Sequence, residues 1–405
     1  MTTLARKLHL TDYFTLAFGA MVGVGWLVVM DDWLGRGGPL GAMIGFAAGG
    51  AALAPIGYVY GRLVQAIPDA GSEIAYTDRA FSRRGLSFAA GWTMLLAYGI
   101  VCPWEAVAIG RIAAYIFPQL NSLELYRVGG QAVYLPQLVL GLGLVVLITF
   151  LNYRGIRATA LFQNWTTFTL LAFFALFVAF SISRGSPSNL RPLFAGAALI
   201  SVVKVIQVVP YFMTGFESVP KCAEEAAPEF NSNHFMRSIL LALGVGSAFY
   251  IAVIAAVAYV WPWPSLVRQP FATAVAFEQA FGARWITGFI MAAAIVSLVK
   301  IFNGNLVASS RMLFALGRQG LAWPRLGAVH PRNQTPAAAV VGMGIASGAA
   351  LFLGPLILVP VTEVGSMASA LGWFATCAAY NRIERHPARR RVDGPEAWWQ
   401  SLWFS

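Results

Sequence analysis

Charge is what this chain has least of. Asp, Glu, Lys and Arg make up 11% of its 405 residues, against about 25% in an ordinary soluble domain. That excludes a string of soluble domains. The net charge of +11 does not mark a nucleic-acid binder, because the basic residues are dispersed between apolar runs rather than gathered into a patch. Cysteine is nearly absent too. Cys102, Cys222 and Cys377 stand far apart, so neither a disulfide framework nor a metal-ligand spacing emerges. The four histidines, His9, His234, His330 and His386, lie in flanks and loops. No metal site, no soluble cofactor and no membrane-embedded enzyme is expected.

What the chain has is hydrophobic residues, 58% of the total. Continuous apolar stretches of about 20 residues recur, the length that spans a bilayer. The segments read as 12–33, 39–60, 86–117, 134–152, 158–182, 198–220, 238–261, 285–310, 336–358 and 360–380. They form one transmembrane domain over 1–380, followed by a basic and aromatic tail over 381–405. Arg6 and Lys7 precede the first span, which reads as an uncleaved anchor. Between spans, Arg36, Arg127, Arg184, Arg191, Arg268 and Arg284 fall on one side. Arg111, Lys204 and Lys300 lie within spans, and the remaining nineteen Lys and Arg fall on the other side. This positive-inside bias places both termini in the cytoplasm.

Two segments carry glycine at matching places. The first contains Gly23-Val24-Gly25-Trp26 and the sixth contains Thr214-Gly215-Phe216-Glu217. Each opens a half of five segments, about 12–182 and 198–380. Paired interruptions of this kind point to the binding site of a secondary transporter built from inverted repeats. An unwound turn at mid-membrane frees backbone groups that lipid cannot satisfy, so the breaks must line a cavity. Helix N-terminal amides there suit a carboxylate, and C-terminal carbonyls suit an ammonium.

Segment 3 is long and ends at Pro118. The stretch Arg62 to Tyr76, with its Pro68-Asp69-Ala70-Gly71 turn, reads as a cytoplasmic interfacial helix, and Met312 to Val329 as a second one. On the outer side, Trp261-Pro262-Trp263-Pro264 reads as an interfacial cluster and Thr273 to Phe281 as a short surface helix. The tail carries Trp398, Trp399, Trp403 and Phe404, and lies either on the inner leaflet or disordered.

Ionisable residues inside a membrane are functional hypotheses by default. Glu105 lies mid-segment beside Pro103, which frees a carbonyl and bends the helix. Lys300 is the expected partner of Glu105, and is too deep to snorkel. A buried lysine amine can exchange protons near neutrality. Glu217 follows the second break, either as a titrating group or as a carboxylate pinning the unwound backbone. Lys204, near the end of its span, is expected to snorkel. Asn303 and Asn305 are read as polar pocket residues or interhelical hydrogen bonders.

Four stretches resemble the amino acid–polyamine–organocation permeases. They are Gly19 to Trp26; Ile67-Pro68-Asp69-Ala70-Gly71-Ser72-Glu73 with Gly91-Trp92; Pro210 to Glu217 with Ala223-Glu224-Glu225; and Ser310 to Gly320 with His330-Pro331 and Thr335-Pro336. The resemblance implies an all-α, five-plus-five inverted-repeat (LeuT-like) fold with helices 1 and 6 broken, and substrate between segments 1, 3, 6 and 8. The implied substrate contacts are Gly23, Val24, Gly25, Trp26, Tyr98, Cys102, Tyr211, Thr214, Gly215, Phe216 and Asn305, with Tyr211 covering the substrate from outside. Glu105, Glu217 and Lys300 are the coupling candidates. In sodium-coupled relatives segment 8 hydroxyls help bind the ion, and here Lys300 stands near that level. The chain departs from the family in stopping after ten spans where many members have twelve, and in Val24-Gly25-Trp26, where a bulky Trp26 is expected to narrow the pocket. The expected activity is alternating-access transport of an amino acid or related small amine, by proton coupling or exchange, with sodium less favoured. A polyamine or ethanolamine permease and a non-transporting nutrient sensor are the alternatives.

Overall fold

A computed structural model describes residues 3–269 and 271–385; the aromatic residues of the tail and His386 lie outside the described residues. The first half comprises α1 (Leu10–Met21), α2 (Gly25–Val28), α3 (Met30–Ala66), α4 (Glu73–Phe81), α5 (Arg84–Gly99), α6 (Val101–Ile116), α7 (Leu135–Arg154) and α8 (Ile156–Arg184). The second half comprises α9 (Ala198–Ile206), α10 (Val209–Met213), α11 (Ser218–Lys221), α12 (Asn233–Val260), α13 (Ala272–Phe281), α14 (Arg284–Arg318), α15 (Ala337–Ala350) and α16 (Leu358–Arg385). Both halves repeat one order: a broken helix, a long helix, a short helix, a long helix and two more. The short helices α4 and α13 lie on opposite sides, as inversion requires.

Eight helical stretches among the described residues are long and apolar enough to cross a membrane. The broken run from α9 to α11 and the last helix α16 stand where the sixth and tenth segments were read. Both described chain ends lie on one side of the bundle. The opposite side carries an antiparallel hairpin, β1 (Glu124–Val128) with β2 (Gln131–Tyr134), which the sequence reading did not include. Its turn is Gly129-Gly130, with φ of 57° and 79°, the conformation that a two-residue hairpin turn needs and that glycine adopts without cost. On this exposed hairpin the Arg127 guanidinium holds the Glu124 carboxyl below its ordinary range.

Inside a bilayer the lipid removes the hydrophobic drive between helices, so close packing of small residues does the work. Along α3, Gly41, Gly45 and Gly49 recur every fourth residue and lie against Ser201, Val205 and Val209 in the α9–α10 run. Further along, Gly50 and Gly57 lie against Ser247 and Leu243 of α12. This stripe brings the second helix of one half onto the first two of the other. Beside it, Phe46, Phe212 and Tyr250 each meet the Trp33 ring edge-to-face, with centroids 4.8 Å apart for Trp33–Phe46 and for Trp33–Phe212.

Three expectations about segments change. Segment 3 is two helices, α5 and α6, meeting at Ile100. Pro103 has no N–H to offer the Gly99 carbonyl, which ends the first helix there. The stretch from Met312 is not an interfacial helix: α14 continues through it to Arg318, where Arg311 meets a fully buried carboxylate and Arg318 two half-buried ones. Likewise α3 runs on to Ala66, and Glu73 is fully buried rather than facing a headgroup layer. The short outer helix stands as α13, largely buried on one face.

Candidate functional site

The site begins at the first break. α1 ends at Met21, and Val22 turns extended, with φ −91° and ψ 98°. Among the described residues, the N–H groups of Gly23, Val24, Gly25 and Trp26 donate to no backbone carbonyl. The carbonyls on the other side of the break are taken. Lys300 Nζ donates to Gly19 O at 3.2 Å and to Val22 O at 2.6 Å. Asn305 Nδ2 donates to Ala20 O at 3.4 Å and the Tyr250 hydroxyl to Met21 O at 3.4 Å. Ser297 Oγ donates to Val22 O and Gly23 O.

At the second break Thr214 is extended and Gly215 has φ 137°. Glu217 Oε2 accepts the Gly215 N–H at 3.0 Å, so this carboxylate pins the unwound backbone. The two breaks touch: a β-carbon on Gly215 would fall 2.5 Å from the Met21 nitrogen and 2.7 Å from the Ala20 carbonyl carbon. Only glycine allows this approach.

A cavity of about 80 Å³ opens where the breaks meet. Ala20, Met21 and Gly23–Gly25 form one wall. Ala97, Val101, Trp104 and Glu105 form a second; Tyr211, Phe212 and Thr214 a third; Ile301 and Asn305 a fourth. Tyr250 of α12 and Gly365 and Ser369 of α16 complete it.

Seven expected site residues therefore line one cavity: Gly23, Val24, Gly25, Glu105, Tyr211, Thr214 and Asn305. The others do not. Trp26 turns away to an aromatic pocket, its ring 6.1 Å from Phe177. The narrowing expected of it falls instead to Phe212, whose ring would lie 2.6 Å from a β-carbon on Gly25. Tyr98 and Cys102 are buried behind the cavity wall, the Cys102 thiol on the Tyr98 carbonyl. Phe216 packs on Tyr60 and Trp373. Lys300 is behind the first break rather than in the cavity. It makes no direct ion pair with Glu105, though the two are near enough to attract each other: its ammonium is drawn to the helix-end carbonyls, and among the described residues Glu105 Oε2 is buried with no hydrogen-bond partner. Asn303 bridges Gln163 and Asn152, an interhelical role. Lys204 is exposed on α9, as snorkelling requires.

Between the cavity and the chain-end side lies a layer of ion pairs that the sequence reading did not identify as such. Lys221 Nζ meets Glu73 Oε1 at 2.8 Å, both side chains fully buried. It also donates to Glu217 O and lies 4.9 Å from the Tyr98 ring centroid. Tyr60 donates to the same Glu73 oxygen. Arg311 holds Glu225 through two bonds, of 2.9 and 3.1 Å. Arg318 holds Glu224 and Asp69. Burial pushes the Asp69 carboxyl above its ordinary range, against the pull of Arg318. Each pair joins one half of the chain to the other or ties α14 to the end of the second break. The signal was present in the sequence: every member sits in one of the four stretches that carry the family resemblance, except Lys221, which lies between the two parts of the third.

Comparison with known proteins agrees with this geometry. Residues 8–402 match the family described as amino acid permease. A methylthioribose transporter of Bacillus subtilis (strain 168) is 28% identical over 91% of this chain and 79% of its own length. The branched-chain amino acid permease BcaP of the same organism is 25% identical over 90% and 77%. A Na+-coupled sialic acid symporter, solved in a substrate-bound outward-open state, aligns with a TM-score of 0.62 at 12% identity, over 92% of this chain and 78% of its own, a likeness of fold. With the matched breaks, the shared cavity and a family match over nearly its whole length, the chain belongs to the amino acid permease family, a secondary transporter with the LeuT-like inverted-repeat fold and not an enzyme.

Proposed function

We propose that this transporter carries an amino acid or a related small amine into the cell across the cytoplasmic membrane, and that protons rather than sodium drive it. The observation behind the choice of ion is Lys300. Helix-end carbonyls at a break are where such transporters hold a coupling cation. Here the Lys300 ammonium already occupies the Gly19 and Val22 carbonyls, and Ser297 occupies those of Val22 and Gly23. A lysine can lose and regain its proton in place. When protonated it clamps α1 against α14; when neutral it loosens that clamp. Proton occupancy and the position of the broken helix are thereby one equilibrium.

The positive-inside bias puts the chain-end side in the cytoplasm. On that side the buried pairs Lys221–Glu73 and Arg311–Glu225 close the cavity. On the other, Val28, Val29 and Tyr211 are half-buried at its rim. This arrangement fits an outward-facing state, with the ion pairs as the closed inner barrier.

Uptake of radiolabelled leucine, arginine and putrescine into proteoliposomes under imposed gradients tests the reading. An inward proton gradient is expected to drive accumulation and a sodium gradient to add nothing. Lys300→Ala is expected to lower proton-driven accumulation by about 5–150-fold, the range of a coupling free energy of about 1–3 kcal/mol, while equilibrium binding changes far less. Strict sodium dependence with no response to pH would contradict it.

A further inference from the structure

The carbonyls that a broken first helix would offer to a cargo ammonium are engaged by the protein itself. From Gly19 to Gly23 each of the five accepts a hydrogen bond from Lys300, Asn305, Tyr250 or Ser297. Three of those donors belong to α14, so the arrangement comes from one helix face laid along the break. Glu105 lines the same cavity directly beside the break. It is 3% exposed, and its Oε2 is buried without a partner among the described residues. Among the described residues, no Lys, Arg or His lines the cavity. A buried carboxylate with an unmet oxygen costs free energy unless a cation or donor meets it.

From this inventory we infer that Glu105 receives the cationic nitrogen of the cargo, in place of the carbonyls of the first break. The inference rests on the transport reading and deepens it, by naming the group on the cargo that is recognised. The cargo is a small organic ammonium. Its amine meets Glu105 beside the first break, Glu105 Oε1 lying 3.4 Å from where a β-carbon on Gly23 would stand. A carboxylate on the cargo, when present, lies toward the N–H groups of Val24 and Gly25, which donate to no backbone carbonyl among the described residues. A carboxylate is then optional and an amine obligatory. The Lys300 ammonium repels a cation approaching the helix-end carbonyls and leaves Glu105 as the negative group on the cavity wall.

The test is binding to the purified protein in detergent, by thermal stabilisation and calorimetry. The probes are leucine, putrescine and ethanolamine, each beside its fully N-acetylated derivative, with methylthioribose as an uncharged, nitrogen-free probe. At least one free amine is expected to bind and its N-acetyl form not to. Glu105→Gln is expected to weaken that amine by about 30-fold or more, as removal of one partner of a buried charge pair does, with the melting temperature of the unliganded protein little changed. The comparison of amine with N-acetyl form needs no variant, so it stands even if Glu105→Gln folds poorly. Unchanged amine affinity in Glu105→Gln overturns the inference. So does equal binding of an N-acetyl form, binding of methylthioribose alone, or binding of no probe. Transport is read separately: uptake of methylthioribose would leave the transporter reading intact and sink only the role of Glu105. Amine binding without uptake would do the reverse.

Discussion

Lys221→Met is expected to destabilise the protein by about 3–5 kcal/mol, the cost of stranding a buried charge. Glu73 is fully buried, and Lys221 is its cationic partner. Without that ammonium, Glu73 keeps only the Tyr60 hydroxyl on Oε1, and its Oε2 is already unmet. The pair spans the two halves of the chain, from α4 to α11, so its loss also loosens the inner barrier. Unfolding in mixed micelles measures the first effect. The double variant Glu73→Leu with Lys221→Met separates stability from gating. An apolar pair of similar volume is often neutral or stabilising, so the double variant should recover most of the stability. A cost below about 1 kcal/mol for the single change would show that water reaches Glu73, as at an exposed pair.

Gly25→Leu is expected to abolish cargo binding and leave the protein folded. A β-carbon there meets the Phe212 ring at 2.6 and 2.9 Å and Trp33 at 3.4 Å. These are side-chain atoms, and Phe212 borders open cavity into which it can swing. The added isobutyl group and the displaced ring then fill the space that the cargo needs. Gly215→Ala behaves in the opposite way. Its methyl group meets backbone atoms of Ala20 and Met21 at a φ of 137°, and neither can yield. It is expected to fail at folding rather than at binding. Purified yield together with ligand affinity for the two variants distinguishes these outcomes. Normal affinity in Gly25→Leu would place the site elsewhere.

Periodicity and length made the fold largely readable. Ten apolar runs and two matched glycine interruptions fix the number of segments and the position of the breaks, because both follow from bilayer thickness and from backbone groups that lipid cannot satisfy. What stayed hidden depends on side-chain direction. Trp26 is next to Gly25 in sequence, yet α2 is a single turn, so neighbours point to opposite walls. Lys300 and Glu105 were readable as deep charges, but whether they meet each other or other partners turns on a few ångströms of helix rotation. Glu73, Lys221, Arg311 and Glu225 looked like flanking charges because hydropathy reads a polar stretch as surface. Burial of such residues needs partners from both halves of the chain, which no single window contains.

The central claim is that the two breaks build one cargo site between the repeats. A cryo-EM map of the protein, saturated with an amine that it transports, tests this most directly. The account predicts cargo density between Gly23–Gly25 and Thr214–Gly215, with its nitrogen within hydrogen-bond distance of Glu105. Continuous helices at both breaks, or cargo density away from this cavity, would contradict it.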